Sequence, residues 1–120
     1  ELTHQFAAKL TQIDYDREMA LVAEPETGGE IWGVARFFAD PDNNQAEYAV
    51  AVRSDLKGRG LGYLLMVRLI DIARRHGIRE LFGDVLSEND AMLQMCRDLD
   101  FAAAPHPEEP GIVRATKKLN

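Results

Sequence analysis

The chain of 120 residues carries a net charge of −6 and 46% hydrophobic residues, as expected of a single globular domain. The acidic balance argues against nucleic acid as the main partner, and no apolar run approaches the ~20 residues of a membrane span. The single cysteine, Cys96, excludes an internal disulfide and a cysteine-rich zinc site. We therefore expect one cytoplasmic domain without a metal and without a nucleic-acid or membrane partner.

The N-terminal third is predicted to contain one helix and two strands. Apolar residues recur at helical spacing over residues 3–12, so a short helix is expected there. Strands are expected over residues 19–23 and 30–39, separated by a turn that holds Pro25 and two glycines. Residues 40–44 form a loop by composition.

The middle of the chain has the pattern of a strand, a helix and a second strand. Alternating apolar residues from Glu47 predict a strand that leads into a long amphipathic helix over residues 60–75. Gly77 is placed to end that helix in the left-handed conformation, and residues 79–86 form the next strand. Because a helical crossover joins the two strands, we expect them to be parallel neighbours in a mixed sheet.

A second helix and a hairpin complete the predicted α/β fold. Ser87, with Asp90 three residues on, indicates a cap for a helix that turns two methionines, Cys96 and a leucine inward. Cys96 is predicted to be a buried apolar side chain rather than a nucleophile, because no histidine has a triad context. Residues 101–104 and 111–119 are expected to pair around an acidic, proline-rich loop.

A glycine-rich loop stands between the strand at Glu47 and the helix, with the sequence Lys57-Gly58-Arg59-Gly60-Leu61-Gly62. Without Cβ atoms, its backbone amides can approach a ligand closely, and the helix start adds free N–H groups and a positive dipole end. The two basic side chains would neutralise phosphates. This combination indicates a pyrophosphate cradle that needs no metal ion, although a plain tight turn is the alternative reading.

The glycine loop resembles the acyl-CoA loop of the GCN5-related N-acetyltransferase (GNAT) superfamily, with Lys57 where glutamine or arginine is usual. Residues 89–101 are similar to a second motif of that family. The resemblance implies that Asn89 contacts the pantetheine or phosphate arm of the cofactor. This segment departs from the family twice, because Cys96 replaces the tyrosine that often protonates the leaving thiolate and Asp100 replaces a glycine.

Residues 11–23 resemble, more specifically, the acetyltransferase domain of bacterial Pat-type protein lysine acetyltransferases. The resemblance implies the GNAT fold, in which the central parallel strands splay apart beside flanking helices. It also implies that residues 1–120 are a single domain excised from a longer chain and lacking the family's usual first strand, which would leave a sheet edge incomplete.

The resemblance also implies an acyl donor and the residues that hold it. Acetyl-CoA would bind Val50, Val52, Lys57, Gly58, Arg59, Gly60, Leu61, Gly62, Tyr63 and Asn89. Main-chain amides of residues 50–52 would polarise the thioester carbonyl where the strands separate. A base is needed because only about one lysine in 2,500 is neutral at pH 7. Glu47 is the predicted base, and Glu88 and Asp84 are weaker candidates.

These residues predict an acetyl-CoA-dependent N-acetyltransferase that acts on a protein lysine. The Pat-type resemblance implies that the protein substrate is an acetyl-CoA synthetase-like enzyme. One alternative is an N-acetyltransferase for a small amine, such as a polyamine or amino sugar. The other is a non-catalytic module that senses acetyl-CoA for the rest of a longer chain.

Overall fold

The structure, a computed structural model, describes residues 8–120 and forms a seven-stranded mixed sheet with two helices. In chain order the elements are β1 (Ala8–Asp14), β2 (Glu18–Pro25), β3 (Gly33–Ala39), β4 (Gln45–Val52), α1 (Leu61–Arg75), β5 (Glu80–Leu86), α2 (Asp90–Asp98), β6 (Ala102–Pro105) and β7 (Ile112–Lys118). A 3-10 turn, Ser54–Leu56, follows β4. The strands lie in the order β1-β2-β3-β4-β5-β7-β6. The predicted α/β mixed sheet is therefore confirmed.

β4 and β5 are the parallel pair of the sheet, and they stay together for only three residue pairs. The pairing ends at Glu47, which lies opposite Phe82. β4 itself continues to Val52, held on its other edge by β3. The two strands therefore separate at Tyr48 and form a fork, as the predicted splayed pair requires.

Both helices pack on one face of the sheet. In β4, Ala46 and Tyr48 are buried on the helix side, whereas Glu47 and Ala49 are exposed on the opposite side. α1 contributes more buried residues to the core than any other described element, namely Leu61, Leu65, Met66, Leu69, Ile70, Ile72 and Ala73. Within residues 8–120 no helix covers the opposite side, which we call the open face. Neither helix is long and apolar enough to cross a membrane.

The predicted helix over residues 3–12 is wrong where the structure describes it. Residues 8–14 form β1, an edge strand that pairs antiparallel with β2. A short turn, in which the Tyr15 amide donates to the Glu18 carbonyl at 2.8 Å, joins the two strands. Pairing with a neighbouring strand thus outweighs a helical spacing that depended partly on Phe6, which lies outside the described residues.

The other predicted elements are confirmed with small shifts. β3 begins at Gly33 rather than at residue 30, and Gly77 follows α1 with a φ of 81°. The predicted cap of the second helix is wrong, because Asn89 and not Ser87 caps α2. The Oδ1 of Asn89 accepts a hydrogen bond from the Met92 amide at 3.2 Å.

Candidate functional site

Gly58 and Gly60 hold the loop before α1 in a conformation that favours glycine. Their φ angles are 80° and 88°, in the left-handed region where a Cβ is strained. Gly60 also begins α1, whose first hydrogen bond runs from the Leu64 amide to the Gly60 carbonyl at 3.0 Å. The amides of residues 61–63 precede that bond and can therefore donate to a ligand. The loop therefore has backbone donors of the kind that bind anions, and anion binding by this loop stays a prediction.

A cleft of about 550 Å³ lies between this loop, the fork and α2. It is lined by most of the predicted cofactor residues, namely Val50, Val52, Lys57, Gly58, Gly60, Leu61, Gly62, Tyr63 and Asn89. Arg59 is the exception, because it is exposed but does not line the cleft. Met92, Met95 and Asp98 of α2 also line it. Helical spacing alone does not reveal this role, since it assigns the methionines to the core.

Asn89 stands at the wall of the cleft and also begins α2. Because its Oδ1 accepts the Met92 amide, its Nδ2 is the end of the side chain that can donate to a ligand. A helix cap and a ligand contact can thus come from one residue. The family resemblance predicts only a ligand contact for Asn89, and the structure shows that this residue also caps α2.

Glu47 lies on the open face at the base of the fork, and its side chain is exposed. Its neighbour on β5 is Phe82, and the guanidinium of Arg114 stacks over that ring at 4.9 Å from the centroid. Arg114 donates two hydrogen bonds to Asp84, from Nε to Oδ1 at 2.9 Å and from Nη2 to Oδ2 at 3.1 Å. We call these four residues, Glu47, Phe82, Arg114 and Asp84, the polar row.

The ion pair in the polar row engages one of its two carboxylates, Asp84. Arg114 holds the pKa of the Asp84 carboxyl below its ordinary value, mainly through their hydrogen bonds, so Asp84 is a weaker base. Asp84 in turn raises the pKa of Arg114, and the negative charges of Glu47 and Glu109 add to that rise. Glu47 has no cationic group within 4 Å among the described residues. The other candidate base, Glu88, lies in the exposed turn after β5, outside the row.

A buried pair, Tyr48 and Cys96, lies on the helix side of the fork. The Tyr48 hydroxyl and the Cys96 sulfur are 3.4 Å apart, and Cys96 is only 2% exposed. The prediction that Cys96 is buried is therefore confirmed. Burial, and then the contact with Cys96, raises the pKa of Tyr48 well above its ordinary value, so this hydroxyl stays protonated.

A glycine loop at the start of a helix, beside a forked pair of parallel strands, defines an α/β domain built to hold a ligand at the sheet fork. Residues 2–101 match the model of the Acetyltransferase (GNAT) family, so the chain belongs to this family. The predicted family is confirmed.

Three relatives illustrate the similarity of this chain to known acetyltransferases. The chain is 37% identical over 103 residues to Acetyltransferase PA5475 of Pseudomonas aeruginosa, covering 84% of this chain and 55% of the relative. It is 32% identical over 90 residues to L-amino acid N-acyltransferase MnaT of Escherichia coli, covering 72% of this chain and 52% of that protein. It is 34% identical over 84 residues to Acetyltransferase Pat of Mycolicibacterium smegmatis, covering 69% of this chain and 25% of that protein. The chain thus spans about half the length of the first two relatives and a quarter of the third.

Two of the solved structures that match illustrate the fold. The yncA protein of Salmonella typhimurium, solved with its cofactor acetyl-CoA, superposes with a TM-score of 0.76 at 27% identity, covering 86% of this chain and 65% of that one. The GNAT domain of S. lividans PAT also gives 0.76 at 27% identity, covering 96% and 66%. These likenesses confirm the predicted splayed mixed sheet.

Proposed function

We propose that this domain is an acetyl-CoA-dependent N-acetyltransferase that acetylates a lysine ε-amine on an acetyl-CoA synthetase-like protein. The observation that carries the proposal is the position of Glu47. Its carboxylate is exposed on the open face at the last residue pair before the fork, while the cleft for the donor is walled by the glycine loop and α2. An acceptor can therefore reach the base from one side of the sheet while the donor enters from the other.

The cleft suits acetyl-CoA as the acyl donor. Backbone amides at the start of α1 would hold the pyrophosphate, with Lys57 contributing charge. The fork leaves one edge of β4 from Tyr48 to Val52 without a partner strand among the described residues, so its amide and carbonyl groups can bind the pantetheine arm. Acetyl-CoA bound to yncA supports this assignment, since that protein has the same fold.

Glu47 is the general base in this proposal. As the lysine nitrogen attacks the thioester carbonyl, Glu47 accepts the amine proton directly or through one water molecule. Main-chain amides of residues 50–52 stabilise the oxygen on which negative charge develops. The carbon–sulfur bond then breaks, and CoA leaves as a thiolate that takes a proton from solvent. The acetyl group passes directly to the amine, so no covalent intermediate with the enzyme is needed. The burial of Cys96 agrees with direct transfer.

Two features favour a cationic protein acceptor. Around Glu47 the open face is not enclosed by any described helix, which leaves space for a protein surface. The cation of the polar row, Arg114, is occupied by two hydrogen bonds to Asp84, so it does not repel a lysine or bind a substrate carboxylate. The resemblance of residues 11–23 to Pat-type protein lysine acetyltransferases implies the same class of acceptor, and the chain is similar to Acetyltransferase Pat.

A free L-amino acid is the second candidate for the acceptor, and Arg36 favours it. Arg36 lies on the open face, exposed and opposite Ala49 of β4, with Glu18 as its ion-pair partner at a distance of 3.9 Å. Such a long contact leaves the guanidinium able to bind the carboxylate of an amino acid. The similarity to MnaT supports this acceptor, which would place its amine beside Glu47.

Transfer of radiolabelled acetyl groups from acetyl-CoA to three acceptors tests the proposal. Purified acetyl-CoA synthetase, a polyamine and free L-amino acids are each incubated with the protein, and Arg36→Gln is run alongside. We expect label on the synthetase, with Arg36→Gln as active as the wild type. Label on amino acids that disappears in Arg36→Gln would establish the second candidate. Calorimetric binding of acetyl-CoA without transfer to any amine would favour a sensing module.

A further inference from the structure

The imidazole of His106 holds the loop between β6 and β7 in a folded form. Its Nδ1 accepts hydrogen bonds from two consecutive backbone amides, those of Glu108 at 3.0 Å and Glu109 at 3.1 Å. The His106 amide also donates to the Ile112 carbonyl at 2.9 Å, and the imidazole is only 10% exposed. The acidic tip of the loop is therefore folded back over the ring.

These hydrogen bonds decide where the proton of the neutral ring lies. Because Nδ1 accepts two N–H groups, the ring hydrogen belongs on Nε2. The Nε2 atom lies 3.8 Å from Oδ2 of Asp84 and 3.1 Å from Nη2 of Arg114. Nε2 of His106 and Nη2 of Arg114 are then both donors, so the short contact between them is not a hydrogen bond. Both groups instead face the Asp84 carboxylate. His106 thus connects the loop tip to the polar row.

We propose that His106 is a positioning residue for the acceptor, because it holds Glu108 and Glu109 at the end of the polar row that begins at Glu47. The inference rests on the proposed function, since it concerns the acceptor that reacts beside Glu47. It adds a substrate class, namely a lysine whose neighbouring residues are basic.

The charges along the open face explain why a lysine with basic neighbours would be the preferred acceptor. The polar row has a carboxylate without an ion-pair partner among the described residues at Glu47 and a neutralised pair at Asp84 and Arg114, and the loop tip adds the carboxylates of Glu108 and Glu109. Basic residues beside the reactive lysine would be attracted to the loop tip, and acidic ones would be repelled. Because these carboxylates are exposed, solvent and salt screen them, so the effect on acceptor binding is modest.

Three substitutions of His106 separate the loop contact from other roles. His106→Asn places a carbonyl oxygen near the position of Nδ1 and can still accept the two amides. His106→Gln extends its amide toward the position of Nε2 and loses that acceptor, and His106→Ala loses both. His76→Asn is the matched control, because His76 lies at the end of α1 on the helix side of the sheet.

The assay is steady-state acetylation of two peptides, each with one lysine, flanked by arginine in one and by glutamate in the other. We expect His106→Gln and His106→Ala to raise the KM for the arginine-flanked peptide about three- to fivefold. The kcat and the KM for acetyl-CoA should stay unchanged. His106→Asn and His76→Asn should behave like the wild type.

Three results would contradict the inference. A uniform fall in kcat and in melting temperature for all three His106 variants would indicate a structural role only. If active His106→Gln still prefers the arginine-flanked peptide, or if His106→Asn loses that preference, the proposed role of the loop contact is wrong. Either result leaves the proposed function unaffected. Failure on both peptides by a wild type that acetylates purified acetyl-CoA synthetase would overturn this inference alone. Failure of the wild type on the synthetase as well as on the peptides would refute the proposed function and this inference with it.

Discussion

Gly83 makes room for the ring of Tyr48, and its replacement by alanine should destabilise the domain. A Cβ at this position would lie within 2.8 Å of three Tyr48 ring atoms, whereas ordinary van der Waals contacts begin at 3.4 Å. The ring cannot easily move, because Tyr48 is 6% exposed and packs edge-on against Phe101 at a centroid distance of 5.6 Å. Glycine in a strand interior is unfavourable in itself, so its presence in β5 reflects this contact.

The size of the effect follows from overpacking. Inserting a methyl group into a well-packed core costs about 1–3 kcal/mol. For a domain of this length we expect a fall in melting temperature on the order of 4 °C for each kcal/mol. Urea unfolding followed by circular dichroism measures the change in the free energy of unfolding. Gly62→Ala is the control, because its Cβ would meet Val52 at an ordinary 3.6 Å.

A double-mutant cycle with Tyr48→Ala tests the cause. Removing the ring removes the clash, so Gly83→Ala should cost much less in the Tyr48→Ala background than in the wild type. The expected coupling is about 1–3 kcal/mol, equal to the overpacking term. An equal cost in both backgrounds, or no cost in the wild type, would refute the reasoning.

Three further predictions concern the loop, the helix cap and the ion pair. Gly60→Ala should destabilise the domain by about 1–2 kcal/mol through its φ of 88° and weaken acetyl-CoA binding, measured by thermal unfolding and calorimetry; unchanged affinity would contradict the cradle. Asn89→Ala should cost about 1 kcal/mol in urea unfolding, and Asn89→Asp, which keeps an acceptor, should cost less; equal losses would contradict the cap. Because Arg114 lowers the pKa of Asp84, this carboxylate stabilises the fold fully above its ordinary value of 3.8 and loses that contribution as the pH falls through the lower folded value. Unfolding measured over a pH series should therefore show a smaller acid-induced loss for Asp84→Asn, and identical slopes would contradict the ion pair.

The elements around the cleft are predictable from sequence because their signals are local. Three glycines at every second position precede an amphipathic pattern, and the structure places a left-handed loop and α1 there. Strand alternation from Glu47 likewise assigns its side chain to one face and those of Tyr48 and Val50 to the other. The fork follows from the family resemblance rather than from local signals.

The open-face site is not predictable in this way, because its contacts join residues that are distant in the chain. Asp84 meets Arg114 only through the register of β5 with β7, and His106 reaches both through the fold of its loop. Strand β1 is not predicted from its local sequence for a related reason, because pairing with β2 stabilises it. Short, mostly exposed edge strands carry weak sequence signals, and spacing alone then favours the wrong element.

The central claim is that Glu47 accepts the amine proton, and single-turnover acetyl transfer to purified acetyl-CoA synthetase tests it most directly. The rate is measured for the wild type, for Glu47→Gln and for Glu26→Gln, whose carboxylate lies in the exposed turn after β2. We predict that Glu47→Gln slows transfer by about 100-fold or more while calorimetry gives an unchanged Kd for acetyl-CoA, and that Glu26→Gln has no effect. Transfer by Glu47→Gln at the wild-type rate would contradict the assignment of the base.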